Sequence, residues 1–151
     1  MVDTLERYAP NENLTRNEAA WRSQNIIWHS ADVELDVSNA TDPNQGSYRS
    51  VTTLRFTSKH PQTFIDFIHD TVEEINVNGT MIAVDEAVVD ARIYLHDLDI
   101  QAMNTVVITG RALYSRSGEG MHRFVDPQDG QTYLYTQFEP ADARRVFACF
   151  E

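Results

Sequence analysis

The feature that most constrains this chain is a change of period at Ile26. From there apolar residues recur at every second position in short runs, and Gly, Pro, Asn and Asp punctuate them. Val33, Leu35 and Val37 alternate with Asp32, Glu34 and Asp36, which predicts a strand with one wet face. A second strand over 48–57, rich in Thr, Val and aromatics, is expected to pair with it as an antiparallel hairpin across the 42–46 loop. Residues 63–69 are apolar on both faces and so predict a strand buried on both sides. Asn78-Gly79, between runs at 72–77 and 80–84, has the chemistry of a two-residue hairpin turn. Further strands are expected at 92–95 and 104–113, with a flexible loop at Gly118-Glu119-Gly120. Short strands at this spacing imply a mostly β fold: two antiparallel sheets packed as a sandwich or curved pair.

Two helices frame the strands. Thr15 and Glu18 form a capping-box pattern, predicting a short N-terminal helix to about Gln24. Residues 1–12 show no clear period and read as a lead-in; 13–151 reads as one domain. At the other end, Pro140 cannot continue a strand and suits a first helical turn, so 141–150 is expected to be helical.

The last hairpin carries the most chemistry. Residues 122–125 and 131–138 read as strands joined by Asp126-Pro127-Gln128-Asp129-Gly130. The period of two puts Tyr133, Tyr135, Gln137 and Glu139 on one face, with Leu134, Thr136 and Phe138 (read as core) on the other. A carboxamide and a carboxylate thus sit side by side where the strand ends. The plain reading of Glu139 is a helix cap, in which N-terminal N–H groups stabilise the carboxylate by about 0.3–1 kcal/mol. Arg144 and Arg145 read as structural ion-pair partners within the helix.

Composition narrows the chemistry. Among 151 residues the formal net charge is −11, which disfavours nucleic acid and anionic membranes as partners. No apolar run approaches the ~20 residues of a membrane span, and the N-terminus lacks a signal-peptide core. Cys149 is the sole cysteine and reads as a packed thiol; a cytoplasmic location is expected. The five histidines, at 29, 60, 69, 96 and 122, include no His-Glu-x-x-His pair, so no metal site is expected within this chain; Ser115 and Ser117 lack a nearby base and orienting acid, so no catalytic residue is expected either.

YLYTQFEPADARRVFACFE, from Tyr133 onward, resembles the signature closing the N-terminal domain of the aminopeptidase N family of zinc metallopeptidases. SRSGEGMHRFVDPQDG, just upstream, resembles bacterial members. The likeness is dense from about Tyr114 to Phe150 and looser back to about Asn13. It implies a saddle-shaped β domain lying over a catalytic domain expected after residue 151. By position it gives Gln137 and Glu139 the role of holding the free α-amine of a peptide substrate. It also places the zinc cofactor in the full-length enzyme and none in this chain, which by itself would be inactive. The competing reading is a free-standing β-sandwich module binding carbohydrate or protein through Trp28, Tyr48, Tyr94, Tyr133 and Tyr135.

Overall fold

The structure, a computed structural model, describes residues 13–151. The lead-in expected at 1–12 lies outside the described residues. Helix α1 (Arg16–Asn25) begins where the capping box placed it. The Thr15 hydroxyl accepts the Glu18 N–H at 3.2 Å, and the Glu18 carboxylate accepts the Thr15 N–H at 2.8 Å.

Ten strands follow: β1 (Ile26–Asp36), β2 (Ser47–Ser58), β3 (Thr63–Asp66), β4 (Thr71–Val77), β5 (Thr80–Ile82), β6 (Val88–Val89), β7 (Arg92–Leu95), β8 (Asn104–Ser115), β9 (Gly120–Val125) and β10 (Thr132–Gln137). A single-turn helix, α2 (Val84–Ala87), precedes β6. One sheet runs β1-β2-β8-β4-β5, and β9 joins it beside β8 and carries β10. The second is β3-β7-β6. The two-sheet, mostly β expectation holds, including the β1–β2 hairpin and the β4–β5 turn. There Asn78 and Gly79 both take positive φ, 53° and 87°, as a type I′ turn requires.

The period-two signal is cleanest in β2, where Tyr48, Ser50, Thr52, Leu54, Phe56 and Ser58 are buried in succession. All four residues of β3 and of β7 are buried, as a strand covered on both faces should be. β1 obeys the pattern less well. As an edge strand it half-buries Leu35 but leaves Val33 39% exposed.

Three expectations change. The fold is not wholly antiparallel, because β8 and β9 pair in parallel at Tyr114↔Met121 and Ser115↔His122. Gly118 (φ 90°) and Gly120 (φ 64°) allow the tight loop that brings them together. The helix expected over 141–150 is only a 3-10 turn, Ala143–Arg145. The reason is tertiary. Cys149 and Asp66 exchange both backbone hydrogen bonds, at 2.9 and 3.0 Å, and Arg144 O accepts the Ile68 N–H at 2.8 Å. This segment therefore pairs with the edge of β3 instead of closing on itself. Phe138, expected in the core, is 39% exposed, its ring in a T-shaped contact with Phe147 at 5.9 Å.

Where α1, β3 and the C-terminal segment meet, buried charges are matched. Arg22 donates to Asp66 Oδ2 at 2.7 Å and to the Glu151 carbonyl at 2.6 Å. Arg92 holds Glu18 with two bonds, of 2.7 and 2.8 Å. Both guanidinium groups lie over the Phe64 ring, 4.9 and 4.4 Å from its centroid.

Candidate functional site

The β9–β10 hairpin presents the site. Its register sets Tyr133 opposite Phe124, Tyr135 opposite His122 and Gln137 opposite Gly120. Side chains directly opposite one another share a face, and here they form an aromatic ladder. Phe124 and Tyr133 stack at 5.5 Å, His122 and Tyr135 lie 4.8 Å apart, and His122 and Phe124 5.8 Å. The sequence reading picked out Tyr133 and Tyr135 and missed His122 and Phe124. A period of two carried back across the Asp126–Gly130 turn lands on Val125 and Arg123; only the pairing register, which sets Thr132 against Val125, puts Phe124 and His122 on the ladder face.

On the reverse face Met121 is buried, and the Arg123 guanidinium sits over the Tyr114 ring at 4.2 Å. This face fixes the hairpin to the body, and the ladder face is left to solvent. Tyr133 donates its hydroxyl to Asp129 Oδ2 at 2.6 Å. The bond holds the Asp129 carboxyl below the usual carboxylate range and raises the Tyr133 phenol.

Gln137 is the last residue of β10, and both it and Glu139 are exposed. The Gln137 carboxamide oxygen accepts the Phe138 N–H at 3.0 Å, which leaves its second lone pair and its NH2 group available. Because β10 ends at Gln137, strand alternation does not extend to Glu139, whose peptide bond to Pro140 is cis. Among the described residues Glu139 makes no hydrogen bond or ion pair. The helix it was expected to cap is absent, so the capping reading loses its object. Arg145 is an ion-pair partner as expected, bound to Asp142 at 2.7 Å. Arg144 is instead buried and bonds to the Ala141 carbonyl and to Asn13 Oδ1.

The remaining candidates are structural. Burial pushes the Cys149 thiol up, and the nearby Glu151 and Asp66 carboxylates add to it, so it is a poor nucleophile. Tyr48 and Tyr94 are buried and cannot belong to a surface sugar platform. A cleft of about 610 Å3 between the 40–43 loop and β9 has Arg116, His122 and Arg123 among its walls, but neither Gln137 nor Glu139. Among the described residues no group of three or more His, Cys, Asp or Glu is placed to hold a metal ion. No helix of the described residues is long and apolar enough to cross a membrane.

No family model matches the chain. Aminopeptidase N from Streptomyces lividans is 44% identical over 144 residues, covering 94% of this chain and 16% of that protein. Solved structures share the fold, among them the following two, each with a TM-score of 0.65. Aminopeptidase A from Legionella pneumophila is 14% identical and is matched over 83% of this chain and 14% of its own. Leukotriene A4 hydrolase from Saccharomyces cerevisiae is 16% identical, with 85% and 21% matched. This chain therefore spans about one sixth of its Streptomyces relative.

Proposed function

Because this chain is a homologue of aminopeptidase N over nearly its whole length, we propose that it forms the amine-recognition side of a zinc aminopeptidase. In this reading it is a saddle-shaped domain beside a catalytic domain, and it grips the free N-terminus of a peptide. Lewis acidity for attack on the first peptide carbonyl comes from zinc held by the rest of the enzyme, and no step is assigned to a metal bound by this chain.

The observation that carries the reading is the exposed Glu139 carboxylate, without a partner among the described residues, two positions beyond Gln137. An α-ammonium group has three N–H donors. Glu139 accepts one with charge assistance, and the free lone pair of Gln137 accepts another. Such a bond to a charged group contributes about 1.5–3 kcal/mol. A neutral, acylated terminus brings no charge and leaves the carboxylate uncompensated, so it is disfavoured. An exopeptidase needs that distinction. The chain's own charge of −11 adds a weak long-range attraction for cationic substrates.

In the complete aminopeptidase, Glu139→Ala should raise KM and lower kcat/KM for free-amine substrates on the order of ten- to a hundredfold. Steady-state kinetics on aminoacyl anilides would measure this. Unchanged kinetics with a lowered Tm would mean that the carboxylate serves only the fold.

A further inference from the structure

The turn that carries Glu139 is short and tied at both ends. Phe138 O accepts the Asp142 N–H at 2.8 Å, closing residues 138–142 into one loop. Asp142 is buried, and its Oδ1 accepts the Arg145 Nε–H at 2.7 Å. The same guanidinium lies 4.0 Å from Glu119 Oε2. Its aliphatic stem rests on Gly120, where an added Cβ would meet Arg145 Cβ at 2.8 Å. Gly120 takes φ 64° and is the register partner of Gln137. A single arginine therefore packs on the residue opposite Gln137 and bonds to the residue that closes the Glu139 turn.

This matters because the two acceptors have little else to hold them. Among the described residues the Gln137 carboxamide bonds only to the N–H of the next residue, and the Glu139 carboxylate has no partner. Their separation is therefore set by the backbone between them, and that backbone is fixed by the Asp142 and Gly120 contacts. A misplacement of about 1 Å at a binding group can cost up to about a hundredfold in rate.

We infer that Arg145, gripped by Asp142 and seated on Gly120, is a positioning residue that sets the spacing of Gln137 and Glu139 for an ammonium ligand. This inference rests on the amine-recognition reading above. Arg145 itself makes no contact with the ligand and acts through the turn.

The test is a double-variant cycle in the complete aminopeptidase with a free-amine aminoacyl anilide. Arg145→Ala should raise KM on the order of tenfold with kcat little changed. Arg145→Lys, which keeps the stem over Gly120, should recover part of the loss. The pair Arg145→Ala with Glu139→Ala should have the same KM as Glu139→Ala alone, because the arginine works through that carboxylate. If the two effects multiply instead, Arg145 acts independently and the inference falls, while the amine reading stands. If Glu139→Ala leaves KM unchanged, the amine reading falls and takes the inference with it. Should Arg145→Ala fail to fold, Asp142→Asn in the 151-residue chain provides the second measurement. It should speed hydrogen exchange at the Asp142 amide and shift the side-chain resonances of Gln137 and Glu139. Unmoved resonances at those two residues would overturn the inference.

Discussion

Asp66 and Glu139 are both carboxylates, and both follow a β-strand or end one, yet the fold treats them in opposite ways. Asp66 is almost fully buried, faces Arg22 at 2.7 Å and shares its backbone bonds with Cys149. Nearby, Glu18 meets both arms of Arg92. In that junction the fold itself supplies the cations. Just beyond the end of β10 Glu139 is exposed, and the nearest arginine in sequence, Arg144, is buried against the Ala141 carbonyl and Asn13. The comparison teaches that residue type and neighbours in sequence do not separate a structural acid from an available one. What separates them is whether the packed structure has already paired the charge.

The comparison can be broken most forcefully at the junction. Asp66→Ala leaves Arg22 buried beside only the Glu151 carbonyl and two aromatic rings, and should destabilise the chain by about 3–5 kcal/mol in urea unfolding. A loss below about 1 kcal/mol would show that these partners suffice without the carboxylate. A smaller effect comes from Glu18, whose carboxyl the Arg92 hydrogen bonds hold below its ordinary value. Because the folded pKa is lowered, its contribution is complete above about pH 4.3 and is lost as pH falls through the folded value. Replacing it by Gln should cost about 1.5–3 kcal/mol at neutral pH and flatten the acid limb of the stability curve. An unchanged acid limb would assign that slope to other carboxylates. The smallest effect is expected past the end of β10: Glu139→Ala should change the stability of this chain by less than about 0.5 kcal/mol in thermal unfolding. A larger loss would move Glu139 into the same class as Asp66.

What the sequence made legible follows the same division. The capping box at Thr15, the Asn78-Gly79 turn and the alternation in β2 are local patterns, and each formed as its own residues required. Residues 141–150 were misread because their partner is Asp66, far upstream, and no local period announces such a pairing. α2 and β6 span four and two residues, too short to establish any period. The parallel β8–β9 contact depends on positive φ at Gly118 and Gly120, which composition alone read as a flexible loop. For the site, strand parity correctly grouped Tyr133, Tyr135 and Gln137. It could not reach Glu139, which lies past the strand end, nor foresee that Arg145 would seat on Gly120.

The Arg22 guanidinium bridges three distant parts of the chain: a helix near its beginning, a strand in its first half and residue 151. On the ribosome the helix and the strand emerge well before Glu151, so this knot cannot be tied until synthesis has passed residue 151. Until then Arg22 lacks its last acceptor and β3 lacks its Cys149 neighbour, leaving an open sheet edge that a nascent chain must keep from strangers.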